Sequence, residues 1–254
     1  MHIRGLNSFA DGFRSVASPQ SQSTAAQDGS HPIGTQFIVT SPSIPVIGLV
    51  GGIGAGKSAV ARALQAILRA EILDADQAGH RALLDESVRS RLVGRFGPEI
   101  LSAAGEIDRK KLARLVFGDS AEQRTNRRDL EAVVHPWIRA DLLARLEAIR
   151  QRGETDVVLL DAPILLESGW DSICDAVAYV DTPWEVRLAR VASRGWTAEE
   201  LQRREASQMP LDEKRRRSDV ILDNSGPVDT AAKQLARALP ASRWTGAAWD
   251  DRLP

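Results

Sequence analysis

Residues 45–58 read Pro45-Val46-Ile47-Gly48-Leu49-Val50-Gly51-Gly52-Ile53-Gly54-Ala55-Gly56-Lys57-Ser58. A short apolar run enters a glycine-rich octapeptide of the pattern G-x-x-x-x-G-K-S, and helical periodicity follows from Ala59 to Leu68. Strand, loop and helix in that order make a phosphate cradle. The glycines let backbone N–H groups turn inward, and the helix N-terminus adds partial positive charge. Lys57 is then placed for the β- and γ-phosphates and the Ser58 hydroxyl for Mg²⁺. The expected nucleoside triphosphate-binding segment is therefore Gly51, Gly52, Ile53, Gly54, Ala55, Gly56, Lys57, Ser58 and Ala59.

On either side of this segment the chain changes character. Residues 1–43 contain a Ser-, Gln-, Ala- and Thr-rich stretch without periodicity and read as a disordered extension. From Pro45 onward, strand and helix patterns alternate. The strands are expected at Val46–Val50, Glu71–Leu73, Asp156–Leu160, Ala176–Val180 and Asp219–Leu222. The first, third and fourth are near-continuous apolar runs, as parallel strands covered on both faces should be. This predicts an α/β fold with a mostly parallel five-stranded sheet and right-handed crossovers.

Two segments do not fit a simple crossover. Residues 77–153 carry apolar residues at helical spacing with no convincing strand and are expected to form a helical substrate domain above the carboxyl edge of the sheet. Residues 183–217 are rich in Arg and Glu and are expected to form a helical lid; Arg187, Arg190 and Arg194 share one helix face. The core would then comprise 45–76, 154–182 and 218–240, with a tail over 241–254.

Composition excludes several classes. Of 254 residues, 43% are apolar and 26% charged, with a net charge of −1, so no global electrostatic argument favours nucleic acid or an anionic membrane. No run approaches the roughly eighteen apolar residues of a membrane span. One cysteine, Cys174, forbids an internal disulfide, and it is expected to serve as a small buried residue. A reducing, cytoplasmic setting fits.

The remaining chemistry is acidic and basic side chains at strand ends. Glu71-Ile72-Leu73-Asp74-Ala75-Asp76 ends a strand in two carboxylates, which on an extended segment point the same way. With strand two beside the loop strand, one of these carboxylates, Asp74 or Asp76, is placed to accept a proton from an attacking hydroxyl while the other helps hold hydrated Mg²⁺. The competing reading of Asp76 is a helix N-cap. His80 lies four residues on, where it either orients a substrate phosphate or bonds the carboxylate. Val157-Val158-Leu159-Leu160-Asp161 supplies a second metal-holding carboxylate, Asp161. Its successor is Ala162 rather than a water-activating Glu, which favours transfer to a substrate hydroxyl over a motor cycle. No N-K-x-D occurs, which disfavours a GTPase. His135-Pro136 falls inside a helical pattern (131–145), and the proline is expected to begin or kink that helix.

Together these residues resemble the dephospho-coenzyme A kinase family. The resemblance runs from about Val46 to Leu239. Gly51–Ser58 is similar to the family's G-G-I-G-S-G-K-S, Leu73-Asp74-Ala75-Asp76 with His80 to I-D-A-D-x-x-x-H, and Val134-His135-Pro136 to L-H-P. Pro163-Ile164-Leu165-Leu166-Glu167 is similar to P-L-L-F-E. Gln208 with Lys214, and Asp219 through Gly226, are similar to its closing signature. The resemblance implies a core, a helical domain for the coenzyme A moiety and a lid. The implied reaction is transfer of the γ-phosphate of ATP, with Mg²⁺, to the 3′-hydroxyl of dephospho-CoA. It places the general base on Asp76, the catalytic cations on Lys57 and on Arg190 or Arg194, and acceptor contacts near Asp74, His80 and His135. The metal set would be Ser58, Asp76 and Asp161. A monomer or weak homo-oligomer is expected, without nucleic acid or membrane partners. The alternatives are another small-molecule kinase of the same build, with a nucleoside, nucleotide or sugar acceptor, and a non-catalytic nucleotide switch.

Overall fold

The computed structural model describes residues 44–118 and 120–239. The expected extension over 1–43 and the tail over 241–254 lie outside the described residues. Five strands, β1 (Val46–Val50), β2 (Ala70–Asp74), β3 (Val157–Asp161), β4 (Ala176–Asp181) and β5 (Val220–Asp223), form one parallel sheet in the order β2-β3-β1-β4-β5. β1 and β3 are buried at every position, as their apolar runs require. The edge strands β2 and β5 are only partly covered. The chain leaves β1 toward one edge and returns from β3 toward the other, so a topological switch point lies beside β1, where open α/β sheets bind ligands.

One expectation is corrected here. β2 does not neighbour the loop strand; β3 lies between them. Asp161 at the end of β3 consequently pairs in register with Leu49 on one side and Asp74 on the other. The inserted strand brings its own carboxylate closer to the loop than the β2 carboxylates come.

The two sheet faces are covered by different elements. α1 (Lys57–Gln65) and α9 (Val228–Ala238) bury Val60, Leu64, Leu235 and Ala236 against one face. The other face takes α2 (Ala75–Ala82) and the C-terminal half of α5 (Ala121–Arg152), through Ala78, Ile138, Leu142, Leu146 and Ile149. The N-terminal half of α5 leaves the sheet and packs on α3 (Glu86–Phe96) and α4 (Arg109–Val116), where Leu92, Phe96, Leu112, Val116 and Val133 make a separate apolar cluster.

α5 also corrects the expectation at Pro136. The helix runs unbroken through the proline for 32 residues, about 48 Å at 1.5 Å per residue. A Ser120/Gln123 capping box starts it and Gly153 in the left-handed conformation ends it. Pro136 removes one N–H from the ladder, and apolar burial on both sides of it holds the helix together. After β4 come α6 (Trp184–Ala192), α7 (Ala198–Glu205) and α8 (Leu211–Arg216). No described helix is long and apolar enough to cross a membrane.

Candidate active site

The loop after β1 folds as its glycines dictate. Gly56 caps α1 in the left-handed conformation (φ 92°), where a side chain would strain the backbone and a Cβ would approach Asn224 Nδ2 to 2.8 Å. Among the described residues, the N–H groups of Gly54, Gly56, Lys57 and Ser58 donate to no protein acceptor. Unpaired donors gathered at a helix N-terminus are the signature of an anion site.

The Lys57 ammonium folds back over the loop and donates to the carbonyls of Gly51 (3.2 Å) and Gly52 (3.3 Å). Loss of hydration lowers it to about 8; the charges of Asp161, Asp76 and Glu205 oppose the drop, and that of Lys214 adds to it. A cation held in this way is stabilised by an arriving anion. Beside it, the Ser58 hydroxyl donates to Asp161 Oδ2 at 2.5 Å. A hydroxyl and a carboxylate in contact offer hard oxygen ligands of the kind Mg²⁺ takes alongside water and phosphate.

The back of the loop is braced by Arg187, Arg190 and Asn224 together with Thr182 and Glu205, which the sequence did not single out. The Ala55 carbonyl accepts from Thr182 Oγ1 (2.9 Å), Asn224 Nδ2 (2.7 Å) and Arg190 Nη1 (2.9 Å). Arg190 also reaches the carbonyls of Gly54 and Asn224. Glu205 Oε1 accepts from the Ile53 N–H (3.0 Å) and from the Arg187 guanidinium, which in turn donates to the carbonyls of Thr182 and Ile53. A Cβ at Gly52 would lie 2.6 Å from Arg187 Nη1, so this brace requires glycine there. The arginine face read from the sequence therefore divides. Arg187 is buried and paired, Arg190 grips the loop, and Arg194 is exposed with no polar partner among the described residues. The helical spacing was visible in the sequence; the partner at Glu205, eighteen residues from Arg187, was not.

Asp74 and Asp76 exchange one expected role. Asp74 caps α2, accepting from the Gln77 N–H at 2.9 Å, and Asp76 lies in the first helical turn. The strand ends one residue before Asp76's neighbour Ala75 turns helical, so the same-side argument for an extended segment does not apply to this pair. The Asp76 carboxyl is open at the surface, yet its pKa is raised from the ordinary Asp value. Loss of hydration among its neighbours is the main cause, followed by the charges of Asp74 and Asp161; His80 and Lys57 oppose the shift. His80 is exposed one turn along α2. His135 is half-buried, stacked edge-on against Trp170 with ring centroids 5.4 Å apart, and burial lowers its basicity. Cys174 is half-buried and pushed up to about 12, chiefly by burial, which suits its packing role.

Two signature positions acquire a physical reason. Lys214 is 1% exposed and joins α8 to the segment after β3, pairing with Glu167 (3.1 Å) and donating to Gln208 (3.0 Å) and the Pro163 carbonyl. Glu167 also accepts from the Met209 N–H.

The chain is similar to known proteins over most of this length. The family model described as CoaE, dephospho-CoA kinase, matches residues 45–230. A dephospho-CoA kinase of Symbiobacterium thermophilum is 42% identical over 202 residues, covering 78% of this chain and 81% of that protein. One of Geobacillus kaustophilus is 40% identical over 195 residues, covering 76% of this chain and 94% of that protein. A solved structure from Thermus thermophilus is 36% identical with a TM-score of 0.65, covering 80% of this chain and 98% of that one. A solved dephospho-CoA kinase from Campylobacter jejuni, 21% identical with a TM-score of 0.51, covers 79% and 98% and shares the fold.

Proposed function

The chain belongs to the dephospho-CoA kinase family, and from that premise we propose how its own residues perform the reaction. It is an ATP-dependent phosphotransferase that phosphorylates dephospho-CoA. The acceptor atom is the 3′-hydroxyl oxygen. The observation that carries this reading is the juxtaposition of a dehydrated Lys57 and unpaired loop N–H groups with the carboxylates at the ends of β2 and β3.

Phosphoryl transfer asks for alignment and charge neutralisation more than covalent chemistry. The N–H groups of Gly54, Gly56, Lys57 and Ser58 hold the β-phosphate region of ATP. Lys57 leaves the Gly51 and Gly52 carbonyls for the γ-phosphate, and its proton is secured as the anion arrives. Mg²⁺, when bound, neutralises phosphate charge. Ser58 and Asp161, with Asp76 beside them, would hold it.

Asp76 accepts the proton of the attacking hydroxyl, and loss of hydration with the charges of Asp74 and Asp161 raises its affinity for that proton. Asp74 caps α2 and so fixes where Asp76 stands. His80 and His135 border the acceptor. Segment 77–153 holds the coenzyme A moiety. Segment 183–217 acts as the lid, with Arg190 fastening it to the loop and Arg194 free to close on phosphate; closure keeps water from taking the phosphoryl group. A cytoplasmic monomer or weak homo-oligomer fits this small-molecule chemistry.

Steady-state ADP release with dephospho-CoA, adenosine, nucleoside monophosphates and gluconate tests the reading. Dephospho-CoA is expected to stimulate turnover far above the others. Preference for a monophosphate or a sugar acid would point to another small-molecule kinase, and no stimulation by any acceptor to a switch.

A further inference from the structure

A half-open cavity of about 290 Å³ lies around the edge strand β2, between α1 on one side and α2 and α5 on the other. Its two ends differ in charge. Ser58, Asp74 and Asp161 line one end, at the carboxyl edge of the sheet. Arg62, Arg81 and Arg145 line the other, each from a different helix.

The basic end is under-neutralised. Asp141 is the carboxylate that serves it, accepting from Arg81 at 2.5 Å and from Arg145 at 3.1 Å through the same oxygen. Arg62 is exposed and has no polar partner among the described residues. Arg81 Nε is buried without a partner among the described residues. The exposed Arg62 and Arg145 and the half-buried Arg81, lining one half-open cleft, are suited to a phosphate-bearing ligand. Of the phosphate-loop residues 51–58, Ser58 lines the cavity and Gly51 through Lys57 do not, so the arginines stand apart from most of the loop.

Resting on the reading above, we propose that Arg62, Arg81 and Arg145 seat the 5′-diphosphate of dephospho-CoA. The acceptor matches the polarity of the cleft. Its 3′-hydroxyl and its 5′-diphosphate sit on one ribose, so a hydroxyl turned toward the carboxylate end directs the diphosphate to the arginine end. The open side of the cleft leaves an exit for the pantetheine arm. Acceptor discrimination then comes from α1, α2 and α5 together, because an acceptor without a diphosphate leaves the arginines unpaired.

The test uses the full chain with Arg62→Gln, Arg145→Gln and the double variant. Arg62 has no partner to lose among the described residues, and Arg81 is left in place so that Asp141 stays paired. Two acceptors are compared, dephospho-CoA and adenosine, which lacks the diphosphate. Loss of one charge-assisted hydrogen-bonding group should lower kcat/KM for dephospho-CoA roughly 10- to 100-fold, through KM, with the double variant worse. KM for ATP and kcat/KM for adenosine should stay within twofold of wild type. Where adenosine turnover is too slow to measure, calorimetric titration with dephospho-CoA alone and with ATP alone decides the matter, with only the first weakened. An equal loss for both acceptors, a raised KM for ATP, or unchanged dephospho-CoA binding would overturn the assignment. If wild-type protein fails to phosphorylate dephospho-CoA at all, the proposed function fails instead.

Discussion

The donor and acceptor sides of this molecule are built on opposite plans. Around the glycine loop, nearly every backbone carbonyl is gripped. Thr182, Arg187, Arg190 and Asn224 all donate to it, and Glu205 takes one of its N–H groups. Around the β2 edge, by contrast, Arg62 and one nitrogen of Arg81 have no partner among the described residues, and the cleft stays open. A cradle that is fixed before ATP arrives need not be reorganised by it, which is how preorganised electrostatics lower a barrier. An acceptor side that keeps its donors unpaired places the reward for binding on the correct substrate. Substitutions on the two sides should therefore separate in what they change.

The largest separation is expected for Asp76→Asn. Turnover should fall roughly 10²–10⁴-fold, the usual range for a general base, while calorimetry shows unchanged ATP affinity. Near-normal turnover would remove Asp76 from that role. Lys57→Ala should cost turnover roughly 10²–10³-fold, as loss of a transition-state donor does, but it should weaken ATP binding as well. Donor-side damage then appears in both constants and base damage in one.

Glu205→Ala strikes the brace rather than the chemistry. It leaves Arg187, whose side chain is 7% exposed, without its carboxylate. Breaking such a pair destabilises by about 3–5 kcal/mol, readable as a lower denaturation midpoint, and ATP should recover part of the loss by binding the folded form. Glu205→Gln keeps an acceptor for the Ile53 N–H and should lose less. If both variants melt like wild type, the brace contributes nothing to stability.

The smallest effect is a proton. In the free protein Lys57 deprotonates as pH rises through about 8. Phosphate raises its affinity for the proton, so ATP binding above pH 8 should take up a proton and weaken as pH increases further. Calorimetry in buffers of different ionisation enthalpy reads that uptake directly. It should vanish in Lys57→Ala, and uptake that persists there would assign the proton to another group.

How far the sequence reached follows the same division. Elements fixed by local pattern were legible: β1, its loop and the helix after it, the apolar run of β3, and the parallel α/β class. Lys57, Ser58 and Asp161 come together as the strand-loop-helix reading requires. What local pattern cannot encode was missed or misplaced. Strand order depends on long-range pairing, so β3 between β2 and β1 was not visible. Pro136 was read as a helix start or kink, and the start is wrong because propensity ignores the tertiary burial that carries α5 past it. Asp74 and Asp76 are both plausible caps, and only the backbone decides between them. Glu205 looked like one more acid in a charged helix, since nothing in the sequence announces that Ile53 and Arg187 wait for it. The Arg62, Arg81 and Arg145 cluster draws on three helices and has no sequence signature at all.

The most direct measurement is ³¹P NMR of the product formed from ATP, Mg²⁺ and dephospho-CoA. A new phosphomonoester resonance coupled to the ribose 3′ proton, growing one for one with ADP and absent with Asp76→Asn over the same interval, is the expected result. ADP accompanied only by inorganic phosphate, or an ester on any other hydroxyl, would contradict the account.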